Sequence, residues 1–184
     1  MGRIALLVST NEHKARELER AMPGWAIDLL PAHVPEEGET YYENALAKAQ
    51  VGARDRPGEW ILGEDSGIEA AALGGRPGIF SARWAGPADG VERLLRELEG
   101  VGDRRARYVC ELVCFAPDGT ELRGTGTLAG TVALERRGSE GFGYDPVFLP
   151  DGETRTVAEL GDGWKARSSH RARAAGALLA ALDR

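Results

Sequence analysis

The 184 residues include 42% hydrophobic and 28% charged side chains, a balance that excludes disordered and fibrous classes and predicts one globular domain over residues 1–184. The formal net charge of -6 argues against a protein that binds nucleic acid through its phosphates, because such binding needs an excess of clustered Lys and Arg. No apolar run reaches about 18 residues, and residues 1–9 are too short for a secretory signal, so we expect a cytoplasmic protein without a membrane partner.

The first half of the chain alternates short apolar runs with polar stretches of helical spacing. Buried strands are predicted at 4–8, 26–30 and 60–62. Helices are predicted at 12–22 and from a capping box, formed by Thr40 and Glu43, to about Arg54. The third apolar run leads into the polar stretch 63–67. This order of strand, helix, strand, helix and strand is typical of α/β proteins.

The second half begins with a glycine-rich stretch at 73–86, which predicts a shaped loop rather than a regular element. A short amphipathic helix follows at 90–98. Alternating residues at 105–115 and 122–134, joined by a turn at Asp118-Gly119, predict a β-hairpin. An Ala- and Leu-rich stretch at 168–182 predicts the final helix.

The cysteines and histidines do not suggest a zinc site. Cys110 and Cys114 fall on one predicted strand, about 13 Å apart, so they cannot bond to each other and are expected to be buried free thiols. His13, His33 and His170 are scattered along the chain without the spacing of zinc ligands. A metal, if bound, should therefore be a hard cation held by carboxylates.

Two groups of carboxylates are candidates for that role. Glu64 and Asp65 follow an apolar strand and precede Ser66, a place where α/β folds usually hold ligands. Glu36 belongs to an acidic loop that could supply another oxygen, since Mg²⁺ typically takes one or two carboxylates plus phosphate oxygens and water. The alternatives remain a solvated turn at 64–65 and an ordinary charged loop around Glu36.

The first strand-to-helix turn combines donors that suit phosphate. Ser9, Thr10 and Asn11 supply hydroxyl and amide groups, the helix N-terminus supplies free amides, and Lys14 follows one turn later. The alternative is a simple N-cap with a surface lysine. The turn is not a Walker loop, because the required glycines and the Gly-Lys-Ser or Gly-Lys-Thr ending are absent.

Two later segments could bind a flat base. Residues 141–146 place Phe142 and Tyr144 on either side of Gly143, which would let a ring stack against the backbone, although aromatics in a core turn are an equal alternative. Lys165 and the run Ser168-Ser169-His170-Arg171 offer donors at the start of the last helix, where serine capping explains part of the pattern.

In order along nearly the whole chain, these segments resemble the inosine triphosphate pyrophosphatase family, also called the Ham1-like or non-canonical purine nucleotide pyrophosphatases. The resembling pieces are Ser9-Thr10-Asn11 with Lys14, Glu43-Asn44-Ala45 with Lys48, Glu64-Asp65-Ser66-Gly67, residues 73–78 running to Ser81-Ala82-Arg83, residues 141–148, and Ser169-His170-Arg171. Each piece is weak alone, whereas the ordered set is specific.

The resemblance implies an α/β fold with a long curved mixed sheet, flanking helices and two lobes around a central active-site cleft, usually assembled as a homodimer. It implies Mg²⁺-dependent hydrolysis of ITP, dITP or XTP to the monophosphate and pyrophosphate. Asp65 would be the general base and a metal ligand, with Glu36 and Glu64 as further ligands. The implied substrate-binding residues are Ser9, Thr10, Asn11, Lys14, Ser66, Phe142, Gly143, Tyr144, Asp145, Lys165, His170 and Arg171.

Two other functions remain open on the sequence alone. A Maf-like pyrophosphatase would have a similar fold and act on other modified nucleotides, but residues 141–146 and 169–171 favour the inosine-type family. A non-catalytic nucleotide-binding module would keep the pocket without turnover, and the Glu64–Asp65 pair argues against it.

Overall fold

The computed structural model describes residues 2–84 and 89–183, so the end of the predicted loop at 73–86 lies partly outside the described residues. Within them, the strands are Arg3–Val8 (β1), Trp25–Leu30 (β2), Trp60–Ala70 (β3), Arg105–Phe115 (β4), Glu121–Val132 (β5) and Phe148–Pro150 (β6). The α-helices are Glu12–Ala21 (α1), Tyr41–Asp55 (α2), Gly90–Glu97 (α3), Val157–Ser168 (α4) and His170–Leu182 (α5). None of the described helices is long and apolar enough to cross a membrane.

The strands form one mixed sheet in the order β2-β1-β3-β4-β5-β6. β1 pairs in parallel with β2 and β3, whereas the ladders from β3 to β6 are antiparallel. The mixed sheet with flanking helices confirms the predicted fold class. The β1–β3 ladder ends at the pair Leu7–Leu62, while β3 continues to Ala70, so the sheet changes width at this point.

Two hydrophobic clusters cover the same face of the long strands at opposite ends. The first joins β1, α1 and α5 around Leu7, Leu62 and Leu178. The second joins α3, β6 and the far ends of β3 and β4 around Ile68 and Leu94. Side chains on one face of a strand recur every second residue, so Glu64 and Ser66 share the face of Leu62 and Ile68. They therefore lie between the two clusters. A polar gap between two cores therefore defines the cleft.

Helix α2 covers the opposite face of the sheet, where Ala45 and Ala49 pack against Val113. Its approach to β3 depends on Gly63, because a Cβ atom at that position would lie 2.0 Å from the Ala45 carbonyl oxygen. The predicted capping box is present: the Thr40 side chain accepts from the Glu43 amide, and the Glu43 carboxylate accepts from the Thr40 amide. This cap fixes where α2 starts and hence which of its residues face β3.

Several predicted elements are confirmed, two element bounds are wrong and two elements were not predicted. The hairpin is present, and Cys110 and Cys114 are buried free thiols on β4. The expectation that the third strand ends before the polar stretch 63–67 is wrong, because β3 runs through it to Ala70. Helix α4 and strand β6 were not predicted, and the final helix begins at His170 after a break at Ser169, not at Ser168. Ser169 caps α5 by accepting from the Ala172 amide.

Candidate active site

The cleft contains a cavity of about 490 Å³, within the range of small-molecule sites. Its wall brings together thirteen of the fifteen site residues predicted from the sequence: Ser9, Thr10, Asn11, Lys14, Glu36, Ser66, Phe142, Gly143, Tyr144, Asp145, Lys165, His170 and Arg171. The other two, Glu64 and Asp65, are buried in β3 beside this wall. Segments that are far apart in the sequence therefore converge on one site.

Glu64 and Asp65 lie inside a strand and not in a turn. Asp65 is opposite Glu111 in the β3–β4 ladder, and the ladder continues to Ala70. Since successive residues of a strand point to opposite faces, Glu64 faces α1 and α5 while Asp65 faces α2. The two carboxylates consequently have different partners and can perform different tasks.

Glu64 binds two cations through its two oxygens. Its Oε1 accepts from Nε and Nη2 of Arg171 at 3.2 and 2.8 Å, and its Oε2 lies 2.6 Å from Nζ of Lys14. Burial alone would raise the pKa of Glu64, but the charges of Lys14 and Arg171 outweigh it and hold that pKa well below its usual value. Glu64 is thus a buried anion that links the turn after β1 to α5.

Arg171 is one of the largest fully buried side chains of the protein. Besides Glu64, its guanidinium donates to Glu17 on α1 and, at 2.9 Å, to the Ser66 hydroxyl. These contacts use four of its five N–H donors among the described residues. The guanidinium is therefore held in a fixed orientation beside the cavity.

Lys165 lies in the same buried network. Its ammonium pairs with Glu17 and donates to Asp145 Oδ2 at 2.6 Å. Asp145 also accepts from the Phe142 amide at 2.9 Å and from the Tyr108 hydroxyl at 3.2 Å, so it fixes the loop that carries Phe142. Burial is the main cause of a raised pKa of Asp145, and the positive charge of Lys165 opposes it.

Phe142 lines the cavity, and its ring packs against an imidazole and a buried ammonium. Its ring stacks on His13 at 5.1 Å between centroids, and the Lys165 ammonium lies 4.8 Å from its centroid. The preceding Gly141 has φ 78°, and a Cβ there would lie 2.2 Å from Asp145 Oδ2. Only glycine allows the chain to approach Asp145 this closely.

Tyr144, expected from the sequence to help bind a flat base, and His170, expected to offer a donor, are both packed into the wall of the cavity. The Tyr144 hydroxyl donates to the Ser81 carbonyl at 2.9 Å, and its ring belongs to the second hydrophobic cluster. His170 stacks on Tyr108 at 4.4 Å and 11°, and burial holds its pKa well below the usual value, so the imidazole is neutral. Both line the cavity while packing against its wall.

The turn after β1 has the geometry of a helix N-cap. Asn11 Oδ1 accepts from the amides of His13 and Lys14, and the Ser9 hydroxyl accepts from the Asn11 amide at 3.0 Å. Thr10 is exposed. The capping interpretation is therefore correct for Asn11, and Lys14 is not a free surface charge because it pairs with Glu64. The turn still presents its hydroxyls and Lys14 to the cavity.

Asp65 is held on the other face by α2. Asn44 Nδ2 donates to its Oδ2 at 3.0 Å, and Lys48 Nζ lies 3.5 Å from its Oδ1. Burial raises the pKa of Asp65 to about 6, because desolvation outweighs the attraction of Lys48. A carboxyl group with a pKa near 6 is a suitable proton acceptor at neutral pH.

Glu36 approaches the same point from the acidic loop. Its Oε1 accepts from Lys48 Nζ at 2.6 Å, and its Oε2 pairs with Arg83. Glu37 and Glu39, its neighbours in the predicted acidic loop, are exposed. The described residues contain no group of three or more His, Cys, Asp or Glu side chains arranged for a metal. Any cation at this site would have to complete its coordination with substrate and water oxygens.

A model of the Ham1 family matches residues 5–181, which is nearly the whole chain. The chain belongs to the Ham1 family. A Gloeobacter violaceus protein named dITP/XTP pyrophosphatase is 40% identical over 190 residues, covering 100% of this chain and 96% of that protein. A Bdellovibrio bacteriovorus protein of the same name is 44% identical over 155 residues, covering 81% and 78% respectively. The structure of the Staphylococcus aureus Ham1 protein has a TM-score of 0.85 at 34% identity, with 98% of both chains covered.

This Ham1 site contains residues to which the sequence analysis assigned no role. Glu17 binds both Lys165 and Arg171, and its spacing of three residues from Lys14 on α1 was the available signal. Asn44 and Lys48 carry part of the family resemblance, and their spacing of four on α2 places both on the face that contacts Asp65 and Glu36. Helical spacing could have suggested both pairs, but only the fold shows what they contact.

Proposed function

We propose that this Ham1-family protein is a pyrophosphatase that hydrolyses non-canonical purine nucleoside triphosphates, namely ITP, dITP and XTP, to the monophosphate and pyrophosphate. One observation carries the proposal. A single cavity joins a helix N-terminus, Lys14 and the Glu36 carboxylate to Phe142 and buried cationic side chains, and Asp65 is buried beside its wall. The curated relatives named dITP/XTP pyrophosphatase support the same function.

The phosphates would lie between the turn after β1 and α2. Ser9, Thr10 and Asn11 offer donors, and Lys14 and Lys48 offer positive charge. We propose Mg²⁺ as the cofactor because Glu36 and Asp65 converge on one cation, the Lys48 ammonium, and carboxylate oxygens suit a hard cation. Bound there, Mg²⁺ would neutralise charge on the triphosphate.

Asp65 is the proposed general base. Its raised pKa of about 6 leaves it ionised but basic at neutral pH, and Asn44 fixes the orientation of its carboxylate. It would accept a proton from the water that attacks the α-phosphorus in line with the leaving pyrophosphate. Glu64 was the second predicted ligand on β3, but its two oxygens already bind Lys14 and Arg171. We therefore propose that it orients those two cations.

The purine would stack on Phe142 and present its edge to Lys165, His170 and Arg171. Arginine has only donors, so it can bind the 6-keto oxygen of hypoxanthine or xanthine but not the 6-amino group of adenine. Because the Arg171 guanidinium is held by Glu17, Glu64 and Ser66, it cannot turn away to accommodate the wrong base. A site built on such hydrogen bonds can reject a mismatched ligand by about 10⁴-fold.

The direct test is product analysis. The purified protein with Mg²⁺ and ITP should release inosine monophosphate and pyrophosphate in equal amounts, with no inosine diphosphate, as measured by ion-exchange chromatography. Triphosphates of other modified nucleotides serve as the comparison, because a Maf-like activity would favour them. Binding of ITP without any product would indicate the non-catalytic alternative, and release of orthophosphate would contradict the proposed bond cleavage.

The two glutamates should differ in their effect on metal. Glu36→Gln should raise the Mg²⁺ concentration needed for half-maximal rate by about tenfold or more, because it removes one of two anionic ligands. Glu64→Gln should leave that requirement within about threefold and instead lower the melting temperature, because Lys14 and Arg171 lose their shared anion. Mg²⁺ titrations of the rate and thermal unfolding measure both effects. Equal Mg²⁺ requirements in the two variants would contradict this division of roles.

Assembly as a homodimer, which the family resemblance implies, and a cytoplasmic location, which the sequence pattern led us to expect, belong to the same proposal. Phe80, in the segment between β3 and α3, is 51% exposed and available for a protein contact. Light scattering of the purified protein tests the dimer, and fractionation of the source cells tests the location.

A further inference from the structure

Lys48 occupies the position between the two carboxylates proposed to hold the metal. Its ammonium lies 2.6 Å from Glu36 Oε1, 3.5 Å from Asp65 Oδ1 and 3.1 Å from the Glu64 carbonyl oxygen. We propose that the Lys48 ammonium and the divalent metal exclude each other at this position, so that Lys48 keeps the metal out until a nucleotide arrives. This inference rests on the proposed function, which supplies the nucleotide and the metal.

The remaining oxygens of the pair are also engaged. Arg83 pairs with Glu36 Oε2, and Asn44 donates to Asp65 Oδ2. All four carboxylate oxygens therefore have a hydrogen-bond or ion-pair partner in the protein, and a metal ion has to compete with these groups for them. Asn44 is fixed, because it also accepts from the Gly38 amide at 2.9 Å. Lys48 is the group best able to move, since its charge sits at the end of a flexible four-carbon chain.

Charge makes simultaneous occupation unfavourable. Lys48 is only 9% exposed, and Asp65 is 3% exposed, so water screens their surroundings weakly. A divalent cation placed beside an ammonium in this setting meets strong repulsion. The nearby carboxylates of Glu36, Asp65 and Glu64 raise the pKa of Lys48 against the effect of burial.

A nucleotide would remove this conflict. Its phosphates bring new anionic oxygens into the cavity, which Lys48 lines, and the ammonium can then leave the carboxylates to bind them. Glu36 and Asp65 are released for the metal in the same event. Metal and nucleotide should therefore bind together, and the protein without nucleotide should bind divalent metal weakly.

The first test removes the ammonium. Binding of Mn²⁺ alone to the nucleotide-free protein is measured by electron paramagnetic resonance of the free ion. Lys48→Met should bind Mn²⁺ about tenfold more tightly or better, because an isosteric neutral chain leaves both carboxylates to the metal. Lys48→Arg, which keeps the charge, and Arg54→Met, which removes an exposed charge from the same helix, should remain within about threefold of the parent.

Equal or weaker Mn²⁺ binding by Lys48→Met, or no binding by either protein, would overturn the proposal. Neither result affects the proposed function, which is decided separately by the products formed from ITP. A tighter Kd in Lys48→Met that is matched by Arg54→Met would also overturn it, since the effect would then reflect net charge alone.

The second test uses the unaltered protein and is needed if Lys48→Met does not fold. The chain has three lysines, Lys14, Lys48 and Lys165, so their side-chain ¹³Cε signals can be resolved by NMR. Titration with Mg²⁺ should shift the Lys48 signal with the same midpoint as metal binding. Lys165, held by Glu17 and Asp145, is the internal control and should not shift. Metal binding without a change at Lys48 would overturn the proposal.

Discussion

Asp65→Asn should lower kcat for ITP by about a thousandfold or more, because it removes both the proton acceptor and one anionic ligand while keeping the shape of the side chain. The Asn44 hydrogen bond survives, since the new amide still has an oxygen that can accept it. Steady-state kinetics at saturating Mg²⁺ measure the loss. A kcat within about tenfold of the parent would contradict the assignment of Asp65.

The same substitution should make the ligand-free protein more stable. The pKa of Asp65 is raised by burial from 3.8 to about 6, so the folded protein holds this proton more tightly than the unfolded chain does. The free energy of unfolding that protonated Asp65 contributes is fully present below the pKa that Asp65 has in the unfolded chain. It is lost as the pH rises through about 6. At about pH 8, Asp65→Asn should therefore gain up to about 3 kcal/mol in the free energy of unfolding.

The pH dependence separates this effect from a general one. The gain should fall to about half at about pH 5, where the folded parent already carries most of the proton on Asp65. Urea unfolding at the two pH values measures it. Asp55→Asn, the same chemical change at an exposed position at the end of α2, is the control and should alter stability little at either pH. A lower free energy of unfolding in Asp65→Asn than in the parent at about pH 8 would contradict the view that burial destabilises the ionised carboxylate.

Arg171→Lys should reduce the preference for ITP over ATP by roughly ten- to a hundredfold in kcat/KM. A lysine ammonium is a point charge, and it cannot bind Glu17, Glu64, Ser66 and a purine oxygen at once as the planar guanidinium can. Losing a charge-assisted hydrogen bond to the 6-keto oxygen costs about 1.5 to 3 kcal/mol, and only the keto purines lose it.

Lysine is the better substitution because alanine would remove a buried charge. Arg171→Ala would leave Glu17 and Glu64 without a shared cation and should cost about 3 to 5 kcal/mol of stability. Arg173→Lys, at an exposed position two residues along α5, is the matched control and should retain the parent's selectivity.

Phe142→Ala distinguishes stacking from base recognition. It should weaken ITP and ATP by similar factors, because stacking is worth about 1 to 3 kcal/mol per base and tolerates any base. Values of kcat/KM for ITP, XTP, GTP and ATP are measured for each variant. If Arg171→Lys kept the parent's preference for ITP, the residue that selects the base would lie elsewhere in the cavity.

The local features of the fold could be predicted from the sequence. The capping box of Thr40 and Glu43, the hairpin turn at Asp118-Gly119 and the apolar runs of β1 and β2 depend on neighbouring residues, so their physical causes are visible in short stretches. The order of polar segments also sufficed to indicate the family. Helix α4 escaped prediction because Gly161 interrupts it with a non-helical conformation.

The roles of Glu64 and Asp65 illustrate what the sequence by itself left undecided. Two adjacent acids before Ser66-Gly67 have the composition of a turn, and only the ladder with β4 keeps them in a strand with their side chains on opposite faces. Glu64 then meets Arg171, which is 107 residues away, while Asp65 meets Asn44 and Lys48. The sequence determined which charged groups are available to the site. Their pairing, and hence which carboxylate is a base and which is an anchor, was decided by the tertiary structure because partners distant in sequence set the burial and the charge around each acid.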